Sequence, residues 1–510
     1  MYNIRIYTHI YICIYTDKSK LSSVRYIYHT ACLSHYTHTD CQYHISVMPL
    51  LHSLIQALVS SAVHSYSDCT DISSAALNLY TYGYPLVLMQ ATANVTNVHN
   101  TLQRYLTITP EDTLVVKPNV DTSYVQGFFD VSIGSYLINL PDHGTRYWLG
   151  EVLNGYSDTI GDPGSRTING SSSILLLGPY GTTDNIHITD TTHIIKSNTN
   201  LVWLLGRIYQ NGTAADQAIV RDLATNWTVT TYPYGTGNQP SSVNVTGPFY
   251  PSVPNATGVL PTVDAVAEYN PQFYYNMLST LQCMNPPQFN DTPFIANMSE
   301  SIGYVPCGSA ALGSTFVNAT NIDQCLPANF STTATDHLKS LAIALSETPG
   351  NVVNGWTYVT DIGTYGTNYN LRAVIALIGL GANLPIDAVY LSTIRPMNGT
   401  VPYTITFNAD ELPPVQAFWS VTYYNAQSYL SANSINRYAV RSADPLVYHS
   451  NGSLTIYVQP NAPTNTTLQP NWLPSQSPSF ILTLRLYNPL PQVINKTWIP
   501  PIITQQQAAA

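Results

Sequence analysis

The sequence predicts an α+β chain: an N-terminal helix with an antiparallel β domain, a central helical section, and a C-terminal β-sandwich or jelly roll. Three patterns carry this prediction. Residues 70–100 and the clearest segments of 263–385 place apolar side chains at helical spacing. Residues 113–180, and the chain from 401 onward, break into short apolar runs with period-two alternation. Turn residues separate those runs, which favours antiparallel pairing, and no repeat of fixed period is visible.

Taken in order, the first helix starts after a capping Asp71 or Ser73, with Ala75, Ala76, Leu79 and Tyr80 on one face, and is expected to be disturbed near Pro85. The β runs TLVVKP, SYVQGFFDVS, SYLINLP, RYWLGEVL and SSSILLLGP follow, within a domain spanning 70–228. LVWLLGRIY (201–209) and the stretch to Trp227 read as mixed or helical. Residues 229–262, rich in Pro, Gly, Ser and Asn, read as a long exposed connection. The helical section 263–385 shows its pattern in AVAEYNPQFYYNMLSTLQCM, TDHLKSLAIALSE and LRAVIALIGLGAN. The last domain, 386–503, alternates through PYTITFN, VQAFWSVTYYN, YAVRS, SLTIYVQP and SFILTLRLYNP, as a sandwich or jelly roll does.

Composition narrows the class. Apolar residues make up 45% of the chain, enough for full cores, but charged residues only 9%, while tyrosine is present in 38 copies. Hydroxyls, amides and glycans must then keep the surface soluble. A net charge of −10 with no basic stripe argues against nucleic-acid binding, and no apolar run is long enough for a membrane span in the mature chain. Residues 1–47 lack protein-like periodicity and read like translated repetitive non-coding DNA; they hold three of the seven cysteines. A second start at Met48 opens an apolar stretch of signal-peptide length, 48–66, so translation is expected to begin at Met48. The four remaining cysteines, Cys69, Cys283, Cys307 and Cys325, suit one or two disulfides, with at least one expected among the last three and the connectivity left open. Fourteen glycan-acceptor sequons accompany them, at Asn94, Asn169, Asn211, Asn226, Asn244, Asn255, Asn290, Asn297, Asn318, Asn329, Asn398, Asn451, Asn465 and Asn495. Together these features predict a secreted, extracellular glycoprotein.

Motifs for common chemistries are missing: there is no Gly-x-Ser-x-Gly, no phosphate-binding loop, no Gly-x-Gly-x-x-Gly, no His-Glu-x-x-His and no Cys-x-x-Cys. We therefore expect no cofactor and no metal; His187 and His193 read as surface or turn histidines. The densest polar cluster is Asn119, Asp121, Thr122 and Tyr124, either turn chemistry around Pro118 or the floor of a polar pocket. Arg166 and Arg437 can each clamp an anion or hold loop carbonyls. Trp419 and Phe418 are neighbours on a period-two strand and cannot both face the core, so one can serve a ligand.

Two sets of blocks are distinctive. The first comprises Tyr82-Gly83-Tyr84-Pro85, VVKPNVDTSY (115–124), Arg146-Tyr147-Trp148, Gly164-Ser165-Arg166-Thr167 and Gly178-Pro179. The second comprises ELPPVQAFWSVTYYN (411–425), Ile435-Asn436-Arg437-Tyr438, NGSLTIYVQ (451–459), NWLP (471–474), LRLYNP (484–489) and Trp498-Ile499-Pro500-Pro501. In order and spacing they resemble a family built from paired domains of unknown function, numbered 1254 at the N-terminal end and 1214 at the C-terminal end, over residues 70 to 503. The resemblance implies an α+β plan whose last domain is similar to the jelly roll of peptide-N-glycanase-like proteins, and it implies no particular activity. The chain departs from the pattern with Lys117 where arginine is usual and Asn154 where aspartate is usual. Those changes remove a bidentate fork and an acid–base group.

The sequence thus predicts a cofactor-independent hydrolase or lyase acting on an anionic or glycan-type ligand in a cleft between the two β domains. Asp121 and Tyr124 are the catalytic candidates, and Asn119, Arg166, Arg437 and Trp419 the ligand-binding ones. A non-catalytic carbohydrate-binding or structural surface glycoprotein is the alternative. Oligomeric state is not legible in the chain.

Overall fold

The structure, a computed structural model, describes residues 68–96, 98–112, 116–234, 262–307 and 323–506. The expected leader and the extension before it lie outside the described residues. Residues 66–510 form one unit.

Helix α1 (Cys69–Thr96) is the rod of the helical part. Every residue from Leu79 to Met89 is buried, so no polar face is left for water and the helix must be enclosed by others. Five helices enclose it: α3 (Thr262–Ala267), α4 (Pro271–Met284), α5 (Thr292–Ile302), α6 (Phe330–Glu347) and α7 (Tyr369–Gly379), while α2 (Ala214–Thr225) belongs to the first β domain. The expected disturbance at Pro85 does not occur, and α1 runs through it. A proline there forfeits one hydrogen bond and costs about 3 kcal/mol, which packing on all sides of the helix offsets. Close packing is helped by Gly83: a Cβ at that position would lie 2.4 Å from Leu278 Cδ2 of α4. The run AVAEYNPQFYYN breaks in two because Asn270 caps α4, accepting from Phe273 N at 2.8 Å, with Pro271 as the first helical residue. Tyrosine fills this core and spends its hydroxyls on backbone: Tyr274 donates to Tyr80 O at 2.8 Å and Tyr275 to Ala76 O at 2.7 Å.

Two disulfides staple the helices. Cys69 bonds Cys325, tying the first turn of α1 to the segment before α6, and Cys283 bonds Cys307, tying the last turn of α4 to the loop after α5. The expected bond among Cys283, Cys307 and Cys325 is thus the first two of these.

The first β domain holds nine strands among the described residues: β1 (Gln103–Tyr105), β2 (Thr122–Asp130), β3 (Gly134–Leu140), β4 (Trp148–Asn154), β5 (Thr159–Gly161), β6 (Ser172–Leu177), β7 (Thr192–Lys196), β8 (Leu201–Tyr209) and β9 (Thr228–Pro233). They form a five-stranded sheet, β1-β2-β8-β4-β5, packed on a four-stranded one, β7-β6-β3-β9. LVWLLGRIY is therefore a strand, not the mixed or helical stretch that its continuous apolar character suggests. That character arises because β8 is central and covered on both faces, by Val202, Leu204 and Ile208 in the domain core and by Trp203 and Leu205 against the helices. The connection expected from 229 starts later, since β-branched 228–233 pairs with β3; residues 235–261 lie outside the described ones.

The second β domain contributes β10 (Val352–Val353), β11 (Trp356–Tyr358), β12 (Ala388–Thr393), β13 (Met397–Asn398), β14 (Tyr403–Phe407), β15 (Trp419–Asn425), β16 (Ala439–Arg441), β17 (Leu454–Gln459), β18 (Trp472–Pro474), β19 (Ser479–Tyr487) and β20 (Ile503–Gln505). A seven-stranded sheet, β10-β11-β12-β19-β15-β16 with β13 also on β19, packs on β18-β17-β14-β20. Neither sandwich closes into a barrel. Alternation sorts the larger sheet cleanly. Val389, Leu391, Trp419, Val421, Tyr423, Val440, Leu482, Leu484 and Leu486 fill the sandwich core. The opposite face carries Tyr390, Ser392, Ser420, Thr422, Tyr424, Arg441, Thr483, Arg485 and Tyr487, mostly polar and aromatic, with Ala388, Ala439 and Ile481 among them, and this face turns to the first β domain.

Candidate functional site

The segment 116–121 lies along that polar face. Of the expected strand TLVVKP, residues 116–118 are irregular, and 113–115 lie outside the described residues. Lys117 adopts a left-handed backbone, φ 50°, and its N–H donates to Ser428 O at 2.7 Å. Its carbonyl accepts from Arg485 Nη2 at 3.2 Å, Pro118 O accepts from Tyr424 Oη at 2.8 Å, and Val120 O from Arg441 Nη2 at 2.9 Å. Asn119 donates to Tyr487 Oη at 2.9 Å while its Oδ1 accepts from Asp121 N, also at 2.9 Å. The segment is thus held by backbone acceptors that the second β domain satisfies.

Asp121 is fully buried and fully engaged. Arg441 Nε reaches its Oδ1 at 2.8 Å, and Ser420 Oγ and Tyr487 Oη donate to Oδ2. Such a carboxylate positions its neighbours and joins the domains; it has no face left for a substrate. Tyr124, by contrast, is half-buried on β2, opposite Arg207 of β8, whose guanidinium stands 5.8 Å from the Tyr124 ring centre.

Arg166, Arg437 and Trp419 do not join Asp121. Arg166 pairs with Asp387 at 3.0 Å and with Asp162, bridging the two β domains. Arg437 Nη1 donates to Gln469 O at 2.7 Å and Trp472 O at 3.0 Å, where it fixes a turn within the second domain. Trp419, 4% exposed, packs its ring 5.2 Å from Phe407 inside the sandwich, and the neighbour that faces the first domain is Phe418, stacked on Tyr487 at 4.1 Å. The period-two choice between the two aromatics therefore puts Trp419 in the core and leaves it no ligand face. Asn154 is turn chemistry as well: its Oδ1 accepts from Tyr156 N at 2.9 Å and Asp158 N at 3.0 Å.

What the seam brings together instead is Lys117 with Arg485, Tyr390, Glu151 and Arg207, none of the last four a candidate from the sequence. Arg485 sits across β12 from Tyr390, its guanidinium 5.4 Å from that ring and 5.6 Å from the Tyr424 ring, with Nη1 donating to Thr422 Oγ1 at 2.7 Å. Lys117 Nζ reaches Ser392 Oγ at 3.2 Å. Buried Glu151 accepts from Arg207 at 2.8 Å and from Thr159 and Asn383 at 3.0 Å each, and Asn383 accepts from Tyr390 Oη at 2.8 Å. Burial pushes the Glu151 carboxyl up to about 7 against the pull of Arg207. Burial, then the charge of Arg485, bring the Lys117 amine down to about 8. Lys117, Tyr124 and Tyr390 are each half-buried and keep some solvent-accessible surface. The Tyr147 hydroxyl, Arg207 Nε and Arg485 Nε are buried there with no hydrogen-bond partner among the described residues.

Beside the Arg166 bridge to Asp387 and Asp162, the seam holds Lys117, Arg207, Arg441 and Arg485 with the carboxylates of Asp121 and Glu151. Arg441 and Arg207 take the carboxylates. Lys117 and Arg485 have no ion pair among the described residues. One signal could have found these groups: a single charge inside an otherwise apolar strand, as in LVWLLGRIY, WLGEVL and FILTLRLY. Among the described residues no group of three or more His, Cys, Asp or Glu could hold a metal ion.

The model of a protein family of unknown function, DUF1254, matches residues 99–231, and that of another, DUF1214, matches residues 389–491. The chain carries both domains. The seam is therefore the meeting face of the DUF1254 sheet, through β2, β4 and β8, and the DUF1214 sheet, through β12, β15 and β19. The crystal structure of the VPA0106 protein from Vibrio parahaemolyticus matches with a TM-score of 0.60 at 19% identity, covering 86% of this chain and 100% of that one. At that identity the likeness speaks for the fold alone. An uncharacterized protein from Burkholderia cenocepacia matches at a TM-score of 0.43 and 11% identity, over 88% of this chain and 98% of that one. No curated protein matches the chain.

Proposed function

We propose that the protein binds a small anionic molecule, carboxylate-bearing or similar, in the seam between its DUF1254 and DUF1214 domains. The observation that carries this reading is Lys117, a cation with no carboxylate partner among the described residues and with Arg485 as its charged neighbour. A lysine largely enclosed by protein is costly without a counter-charge, and an anion supplied from solution removes that cost. Lys117 is the direct contact, since it keeps accessible surface; Arg485, beside the Tyr390 and Tyr424 rings, supplies field. Hydrolase or lyase chemistry on such a ligand would use Lys117 and Tyr124 as proton carriers, with Asp121 as a structural tie.

Secretion and glycosylation belong to the same proposal. Two disulfides suit an oxidising compartment. Of the eleven sequon asparagines within the described residues ten are exposed, and only Asn94, whose amide nitrogen is buried, is not. Asn244, Asn255 and Asn318 lie outside them. Among the described residues no helix is long and apolar enough to cross a membrane. The sugar-binding alternative has its own support in a groove of about 420 Å³ lined by Val131, Ser132, Pro179, Tyr180, Asn200 and Tyr234, in which Tyr180 is 95% exposed.

Thermal unfolding with malonate, sulfate and phosphate, each against chloride at equal ionic strength, tests the anion reading. At least one anion should raise the midpoint of the wild type, and Lys117→Met should remove that rise. Equal midpoints in every salt would contradict it.

A further inference from the structure

The seam holds a second unusual feature, and it concerns one amine. Lys117 is the only lysine in the segment that joins the domains, and its backbone is fixed from both sides. Its N–H is bonded to Ser428, its carbonyl to Arg485, and its φ of 50° lies in the left-handed region that a side-chain-bearing residue adopts at a cost. The chain holds this conformation through contacts with the second β domain, and Nζ stands against Ser392 Oγ at 3.2 Å. No carboxylate pairs with it among the described residues, so nothing there holds the ammonium charged. Arg485 is its charged neighbour, which penalises a second positive charge. A half-buried lysine, beside another cation and with a neutral hydroxyl as partner, has the environment of an amine nucleophile rather than of a salt-bridging ammonium.

We propose that Lys117 is a nucleophilic amine that forms an imine with the carbonyl group of an anionic oxo compound, an oxo acid or an acid-bearing aldehyde, held in the seam. The proposal rests on the anionic-ligand reading and adds the ligand's second functional group. Arg485 holds the ligand's negative end electrostatically, which leaves its carbonyl at Lys117. The Nζ lone pair attacks the carbonyl carbon and a C–N bond forms. The carbonyl π pair moves to oxygen, which takes a proton, while nitrogen loses one to cleft solvent. The hydroxyl then leaves as water after a second protonation, and the nitrogen lone pair closes the C=N bond. Water is the only by-product, protons are taken from and returned to solvent, and no oxidant or reductant is needed.

The test uses the whole chain with glyoxylate and cyanoborohydride, which reduces an imine to a stable secondary amine, followed by peptide mapping. The exposed lysines Lys196 and Lys339 serve as internal controls. At pH 7.5 the label should accumulate on Lys117 at least about tenfold faster than on either control, because more of its amine is unprotonated. Labelling should rise with pH to a midpoint near 8. Lys117→Arg should lose this label while Lys196 and Lys339 keep theirs. A parallel thermal-unfolding series with glyoxylate and no reductant separates the two claims. Stabilisation by glyoxylate without preferential labelling of Lys117 would overturn the imine and leave anion binding standing. Neither stabilisation nor labelling would overturn both.

Discussion

Asp121 shows how a residue type and its neighbourhood divide the work of inference. Turn chemistry was visible in the sequence as Pro118-Asn119-x-Asp121, and Asn119 Oδ1 does accept from the Asp121 backbone. The partner of the carboxylate was not visible, because Arg441 lies 320 residues away in the chain and only the sheet register brings it close. Asp121→Ala should leave Arg441 buried without its counter-charge, and we expect a loss of about 3–5 kcal/mol in denaturant unfolding. A loss under about 1 kcal/mol would mean that the pair is not the tie described. The same limit applies to Arg437. Its sequence leaves open an anion clamp or a holder of loop carbonyls, and in space its side chain is committed to the carbonyls of Gln469 and Trp472.

Elements were more legible than residues wherever one period dominated. Strands with one core face, such as β15 and β17, alternate and were read correctly; β8 was not, because coverage on both faces erases alternation. α1 carries too little polar face to show where it is buried, and Pro85 suggested a break that tertiary packing overrides. The staples act at this scale. Cys69–Cys325 closes a span of 256 residues and Cys283–Cys307 one of 24. Replacing either pair with serine should lower stability by about 2–5 kcal/mol, with the longer span costing more if chain entropy dominates. Calorimetry of the two double variants checks both the size and the order. Loss of neither bond affecting the melting temperature would show that the helices hold α1 unaided.

At the scale of the whole molecule, the two β domains are joined by groups whose protonation changes near neutrality. Burial, and then the Asp162 carboxylate, push Asp387 up from 3.8 to about 7, against the pull of Arg166. The folded chain therefore keeps a proton there that the unfolded chain has released, so this group's contribution is full below pH 3.8 and is lost as pH rises through about 7. Asp387→Asn removes the titration. Relative to that variant, the wild type should lose more than about 1 kcal/mol between pH 4 and pH 7.5, read as the difference in unfolding free energy. Parallel pH profiles would remove Asp387 from the account. The domain pair and its order were legible in sequence blocks, but the meeting face was not. It is made by single charges, Glu151, Arg207, Arg441 and Arg485, each on a different strand.

The central claim is that this face holds an anion, and a crystal structure grown in malonate tests it most directly. The account predicts carboxylate density in the seam within about 3 Å of Lys117 Nζ, flanked by the Tyr124 and Tyr390 rings. A seam closed by its own side chains or filled with water alone, while malonate binds elsewhere or not at all, would contradict it.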